Sequence, residues 1–188
     1  MRFVHLMGTL LEDGFSRLVV ELVDTSQAGV LSSWSNQKVL WRCDAGHEWW
    51  ATPANRAHNH SGCPYCSGKK VLQGFNDLMT THPDIAAQLV DSELATQLSA
   101  GSNRRVWWRC EQGHQWQTTV LDRCKGRGCP YCANKRVLRG FNDIATTHPM
   151  LALQMVDESQ AYQLTAGSGV QVAWRCDAGH MWMATPSE

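Results

Sequence analysis

The sequence lacks long apolar runs, an excess of either charge and a recognisable secretion signal. No apolar run approaches the roughly 18–20 residues that a membrane-spanning helix needs. The 17 Lys and Arg balance the 17 Asp and Glu, which excludes a uniformly basic nucleic-acid-binding protein. Residues 1–11 hold one Arg and no small-residue cleavage site, so they do not predict a signal peptide. With 188 residues, 43% of them apolar, the composition indicates one or two folded domains.

Cysteine and tryptophan are abundant instead, with eight and nine residues. Six of the cysteines lie in two matching stretches, W-R-C-D-A-G-H-E-W then G-C-P-Y-C, and W-R-C-E-Q-G-H-Q-W then G-C-P-Y-C. A disulfide framework needs no histidine in step with the cysteines, whereas Zn²⁺ takes four sulfur and nitrogen ligands in a tetrahedron. The pattern therefore predicts two Cys3His zinc sites, with Cys43, His47, Cys63 and Cys66 in the first and Cys110, His114, Cys129 and Cys132 in the second. Thiolate ligands imply a reducing compartment, so we expect an intracellular, cytoplasmic protein.

The spacing within each stretch predicts a small β-hairpin whose turn carries the metal ligands. Trp41 and Cys43 are two residues apart and share one face of a strand, and His47 and Trp49 do the same on the returning strand. A glycine just before the histidine supplies the positive φ that such a turn needs. The two tryptophans are then cross-strand partners, which we interpret as core packing, with base stacking as the alternative.

A unit of about 66 residues occurs nearly three times. The third copy has Cys176 and His180 but no second cysteine pair before residue 188. We expect this half-site to be incomplete, either because the chain is truncated or because a second chain supplies ligands. The predicted segments are a degenerate linker half (1–33), zinc finger 1 (34–73), a helical linker (74–100), zinc finger 2 (101–139), a second helical linker (140–166) and an incomplete finger 3 (167–188).

The zero net charge conceals basic zinc halves and acidic linkers. Residues 101–140 hold nine basic and two acidic residues, whereas residues 75–100 hold four acidic residues and no Lys or Arg. A basic block on a small zinc module is typical of phosphate-backbone contact, although it is also compatible with a solvated face. The predicted nucleic-acid-binding residues are Lys38, Arg42, Arg56, Lys69, Lys70, Arg104, Arg105, Arg109, Arg123, Lys125, Arg127, Lys135, Arg136 and Arg139.

These motifs, together with the G-F-N-D linker and the S-N-R-R-V-W-W lead-in, resemble the treble-clef (zinc-ribbon-like) zinc-finger repeat family of bacteria and phages. The resemblance covers about residues 8–186. It implies tandem treble-clef fingers that ligate zinc through the two sets named above. Members of that family often occur alone or beside Vsr-like or restriction-type endonuclease domains, which implies a DNA-directed role. The departures are the degenerate first linker and the missing second half of finger 3.

The expected fold class is small metal-stabilised α+β, with tandem treble-clef fingers joined by short helical linkers. The leading functional hypothesis is a non-catalytic module that binds nucleic acid, preferably DNA, and serves as an accessory or targeting module for a nuclease or another protein partner. The alternative is a protein-interaction or scaffold module with purely structural zinc. An enzyme is disfavoured because a closed Cys3His site leaves no position for a reactive water, and no carboxylate cluster suggests a Mg²⁺ site. No membrane or small-molecule partner is expected.

Overall fold

A computed structural model describes residues 8–188, in which every regular element is short. The strands are β1 (Val39–Arg42), β2 (Glu48–Ala51), β3 (Arg105–Arg109), β4 (Gln115–Thr119), β5 (Val172–Arg175) and β6 (Met181–Ala184). The α-helices are α1 (Ser16–Glu21), α2 (Pro53–Ala57), α3 (Leu78–Thr81), α4 (Pro83–Ala86), α5 (Val120–Cys124), α6 (Ile144–Thr147) and α7 (Pro149–Ala152). Single 3₁₀ turns lie at Thr25–Gly29, Ser92–Thr96 and Glu158–Tyr162. Within the described range, no helix has the length and apolar character needed to cross a membrane.

The six strands form three separate antiparallel hairpins, each with a tryptophan pair at the same register position. The pairs are Trp41 with Trp49, Trp108 with Trp116, and Trp174 with Trp182. The cross-strand pairing expected from the sequence is therefore confirmed. Each turn contains a glycine with φ between 81° and 85°, at Gly46, Gly113 and Gly179, a conformation that a side chain with a Cβ adopts only with strain.

Each linker places one residue in an antiparallel bridge with the first strand of the hairpin that follows it in sequence. Isolated antiparallel bridges join Leu22 to Trp41, Leu89 to Trp108 and Met155 to Trp174. These positions are apolar because they lie over the buried indoles, and Trp41 and Trp108 are fully buried. The first linker makes the same bridge despite its divergent sequence, so its degeneracy does not change its packing role.

Aspartate caps fix the short linker helices. The side chain of Asp77 accepts hydrogen bonds from the backbone N–H of Thr80 (3.0 Å), from the Thr80 hydroxyl (2.8 Å) and from the backbone N–H of Gly74 (2.6 Å). Asp143 makes the same set in the next repeat. Helices of four residues have little stability of their own, so these caps and the packing beneath them hold the linkers in shape.

The described residues divide into two compact units, one formed by residues 8–83 and 93–101 and the other by residues 84–92 and 102–188. The first has a core that joins linker and finger, made of Leu10, Leu22, Ala28, Leu31, Val39, Trp41, Trp49 and Cys63. The second contains finger 2 and a further cluster around Ile144, Met155, Ala161, Val172 and Trp174. The finer six-segment division stays a prediction.

Candidate metal centres

The first hairpin turn and the following Cys-Pro-Tyr-Cys loop bring four ligand atoms together. The Nδ1 atom of His47 lies 3.5 Å from Cys43 Sγ, 3.3 Å from Cys66 Sγ and 3.8 Å from Cys63 Sγ. The Sγ atoms of Cys43 and Cys66 are 3.8 Å apart. All four ligand atoms lie within 4.8 Å of one another, so they surround a single point.

These separations match those expected for tetrahedral zinc. Bonds of about 2.3 Å to sulfur and about 2.05 Å to nitrogen give tetrahedral edges of about 3.8 Å between sulfurs and about 3.6 Å between sulfur and nitrogen. Disulfide bonding would require sulfurs about 2.05 Å apart, and all eight cysteines are free. The donor set and its spacing therefore fit Zn²⁺, with His47 Nδ1 as the imidazole ligand.

The second site repeats the first almost atom for atom. His114 Nδ1 lies 3.5 Å from Cys110 Sγ, 3.3 Å from Cys132 Sγ and 3.7 Å from Cys129 Sγ. The Sγ atoms of Cys110 and Cys132 are 3.9 Å apart. Both Cys3His sites predicted from the sequence are thus formed, and zinc is the cofactor that they fit.

The thiols of each site differ in acidity without a metal. Burial raises the pKa of Cys66 to about 11 and that of Cys132 to about 12, and the neighbouring thiols add to this rise. Burial also acts against the Cys110 thiolate, but hydrogen bonds from the backbone N–H groups of His114 and Gln112 outweigh it and lower the Cys110 pKa. Near neutral pH at least one ligand in each site therefore carries a proton that zinc must displace.

The G-F-N-D motif of the next linker packs against the zinc site that precedes it. The Phe75 ring meets the His47 ring edge to face, with centroids 4.1 Å apart, and Phe141 meets His114 at the same distance. The side-chain amide of Asn76 donates to the carbonyls of Tyr65 (2.8 Å) and Lys70 (2.9 Å). Aromatic and amide groups thus fix the ligand ring and the Cys-Pro-Tyr-Cys loop, as groups that contact the ligands do at other metal sites.

The sequence shows this motif as a repeat, but its role in the zinc sites was not predicted. The available signal is its position, since it begins eight residues after the last cysteine in both complete repeats.

The third hairpin places Cys176 and His180 as a half-site. Cys176 Sγ lies 3.6 Å from His180 Nδ1, which matches the first two sites. Its second tryptophan differs, since Trp182 is 42% exposed whereas Trp49 and Trp116 are 6% and 4% exposed. No third cluster of ligands occurs among residues 8–188.

Two of the predicted nucleic-acid-binding arginines lie inside the fingers. Arg56 and Arg123 are 6% and 8% exposed, and each guanidinium lies over both tryptophan rings of its hairpin, with Cζ 5.1–5.9 Å from the ring centroids. Arg56 donates to Glu21 and to the Ser61 carbonyl. Arg123 donates to the Arg127 carbonyl (2.7 Å) and to the Gln88 side chain (2.6 Å). Both side chains are buried and donate from their Nη atoms to partners within the chain, while each buried Nε has no hydrogen-bond partner in the described structure. Neither side chain is therefore placed to contact a phosphate.

The other predicted cations are exposed, and they are distributed unevenly. Finger 1 presents Lys38, Arg42, Lys69 and Lys70, whereas finger 2 presents Arg104, Arg105, Arg109, Lys125, Arg127, Lys135, Arg136 and Arg139. Among these, Arg42 pairs with Glu48 at 2.5 Å and Arg127 with Asp122 at 3.3 Å. Nucleic-acid contact by the exposed residues stays a prediction.

Two closed Cys3His sites, each on a hairpin knuckle and a following Cys-Pro-Tyr-Cys loop, define a zinc-finger protein of small α+β fold. A family model described as "Probable Treble clef zinc finger domain" matches residues 18–69 and 85–135, and the chain belongs to that family. Each match runs from a linker through its Cys-Pro-Tyr-Cys loop, which is the linker-plus-finger grouping seen in the bridges.

A relative from Escherichia phage T5, named "Putative endonuclease", is 27% identical over 114 residues. The match covers 60% of this chain and 38% of the relative, so the chain spans about two fifths of that protein's length.

Proposed function

We propose that this chain is a non-catalytic nucleic-acid-binding zinc-finger protein that recognises DNA mainly through finger 2. The observation that carries the proposal is the concentration of exposed cations on that finger. A groove of about 660 Å³ between β4 and the Cys-Pro-Tyr-Cys loop is lined by Arg127, Lys135 and Arg136. Cations around a concave surface favour a polyanion, and phosphate contacts supply most of the affinity of such modules.

The zinc centres support a structural rather than a catalytic role. Each site supplies four protein ligands, which leaves no open position for a water that zinc could activate. The similarity to a phage protein named as an endonuclease supports a role beside a nuclease, as an accessory or targeting module. Zinc-bound thiolates persist in reducing compartments, so we place the protein inside the cell.

Fluorescence anisotropy of the zinc-loaded chain with duplex DNA, at increasing salt, tests this function. The logarithm of the affinity should fall linearly with the logarithm of the salt concentration. The double variant Lys135→Ala, Arg136→Ala should reduce that slope by about 2, because each lost phosphate contact removes about one unit. Arg17→Ala, which removes an exposed cation from α1, is the matched control and should leave the slope unchanged.

Absent or salt-independent binding would contradict the proposal. If a protein partner were retained after nuclease treatment while DNA did not bind, the scaffold alternative would take its place. Divalent-dependent cleavage of the probe, lost on replacement of one acidic residue, would contradict the non-catalytic role.

A further inference from the structure

The outward face of the β3–β4 hairpin presents a large aromatic ring to solvent between two arginines. Strand β3 alternates exposed and buried residues, so Arg105, Trp107 and Arg109 share the outer face while Val106 and Trp108 point into the core. At about 3.4 Å per residue, alternate side chains are about 7 Å apart along the strand. Trp107 remains 51% exposed in this position, which leaves much of the indole uncovered.

The cross-strand partners on this face carry no charge. Arg105 lies opposite Thr119, Trp107 opposite Gln117, and Arg109 opposite Gln115. One Arg105 nitrogen donates to the Gln117 carbonyl at 3.1 Å, which holds that side chain beside the ring and leaves its other donors available. Arg109 also borders a shallow cleft that contains Asp84 and Glu111.

Finger 1 has the same backbone but a different surface. Its arginine at the position of Arg109 is Arg42, which is neutralised by Glu48 directly opposite, with Nε and Nη2 both bonded to one carboxylate oxygen. The exposed indole of its hairpin is Trp50, which lies on the second strand rather than the first, opposite Leu40. In the third hairpin, the positions of Trp107 and Gln117 are occupied by Ala173 and Met183. Among the three described hairpins, an exposed ring between two arginines whose cross-strand partners are neutral therefore occurs only in finger 2.

We propose that this face binds single-stranded DNA, with Trp107 stacking on an unpaired base while Arg105 and Arg109 contact the phosphates on either side. This inference rests on the proposed function and adds the form of nucleic acid recognised. An exposed aromatic ring flanked by cations matches both parts of an extended single strand, because every unpaired base offers a π-face and every nucleotide a negative charge. In a duplex the bases are stacked on one another, so the ring would gain no partner.

The test compares a single-stranded oligonucleotide of mixed sequence with the duplex of the same sequence, using the zinc-loaded full chain and fluorescence anisotropy. Trp107→Ala should weaken single-strand binding by roughly ten- to hundredfold, the range found when an aromatic platform is removed. Trp107→Phe should retain most of the affinity, whereas Trp107→Leu should not, because leucine keeps apolar bulk but has no π-face. Duplex affinity should change less than threefold in all three variants.

Trp50→Ala is the matched control, since it removes from finger 1 an indole that is 65% exposed, against 51% for Trp107, and should alter single-strand affinity less than twofold. Two bound zinc ions per chain in every variant would show that the fingers remain folded. Equal losses for Trp50→Ala and Trp107→Ala, an unchanged affinity for Trp107→Ala, or full retention by Trp107→Leu would overturn the inference. Tighter binding of single-stranded RNA of the same sequence would overturn the assignment to DNA.

The outcomes distinguish a failure of this inference from a failure of the proposed function on which it rests. If the wild-type chain binds duplex DNA with the expected salt dependence and Trp107→Ala changes nothing, only the stacking surface is refuted. If the wild-type chain binds no nucleic acid, the proposed function is refuted, and the stacking surface with it.

Discussion

Replacing Arg123 with Ala should unfold finger 2 at a markedly lower temperature rather than merely weaken binding. The guanidinium makes two hydrogen bonds, at 2.7 Å to the Arg127 carbonyl and at 2.6 Å to Gln88, and lies 5.6 Å and 5.9 Å from the Trp108 and Trp116 rings. Hydrogen bonds to a charged group contribute about 1.5–3 kcal/mol each, and a desolvated cation–π contact up to about 2 kcal/mol. Burial opposes the charged form and lowers the Arg123 pKa, so part of this gain is offset.

The net cost of Arg123→Ala is therefore about 2–4 kcal/mol. For a unit of roughly 100 residues, each kcal/mol corresponds to about 4–8 °C, so the transition should shift down by roughly 8–32 °C. Differential scanning calorimetry at fixed free zinc measures this shift, and zinc content shows whether the first site survives. Lys125→Ala is the matched control, because it removes an exposed cation next to the same helix and should change stability by less than about 0.5 kcal/mol.

A comparison of the two fingers identifies a substitution that should raise the stability of the second unit. Arg56 in finger 1 faces the carboxylate of Glu21, whereas Arg123 faces the neutral amide of Gln88 at the corresponding position. Gln88→Glu should therefore raise the stability of the second unit by up to about 1 kcal/mol. An Arg123→Ala variant that keeps wild-type stability but loses DNA affinity would refute the reasoning, since Arg123 would then act as a surface contact.

Three further predictions concern the metal, a cap and a turn. Cys110→Ser should leave one zinc ion per chain and unfold the second finger while the first stays folded; circular dichroism with zinc analysis checks this, and loss of both ions would contradict it. Asp143→Asn should cost about 1–3 kcal/mol, because an amide nitrogen cannot accept from the Gly140 N–H. Burial acts to raise the pKa of Asp143, but these hydrogen bonds outweigh it and lower the pKa. The stabilisation from the ionised carboxylate is therefore complete above the pKa of the unfolded state and is lost only as pH falls through the pKa of the folded state. The cost measured by denaturant unfolding should then be constant from pH 6 to 8, and a dependence on pH in that window would count against the cap. Gly126→Ala should cost about 1–2 kcal/mol because φ is 86° there, whereas Gly128→Ala, whose φ is negative, should be neutral in the same assay; equal effects would exclude backbone strain as the cause.

The sequence by itself determined the zinc sites and the hairpins that carry them. Ligand chemistry is encoded in residue type and local spacing, so Cys43, His47 and the Cys-Pro-Tyr-Cys pair predict a tetrahedral centre without any knowledge of the fold. The cross-strand tryptophan pairs followed from the same local spacing, because side chains alternate between the two faces of a strand. The Asp77 cap is likewise a local feature, because its side chain accepts from the Thr80 N–H three residues along the chain.

Only the tertiary structure decided which basic residues face solvent. Arg56 and Arg123 lie in the same basic stretches of the sequence as the exposed cations. Their burial nevertheless depends on indoles and linker residues that are up to 35 positions away in the chain. The packing of Phe75 on His47 and the exposure of Trp107 between two arginines are also products of chain folding, since neither follows from residue type. Charge and aromaticity are properties of the sequence, but the surface that a partner meets depends on long-range packing, which local spacing does not encode.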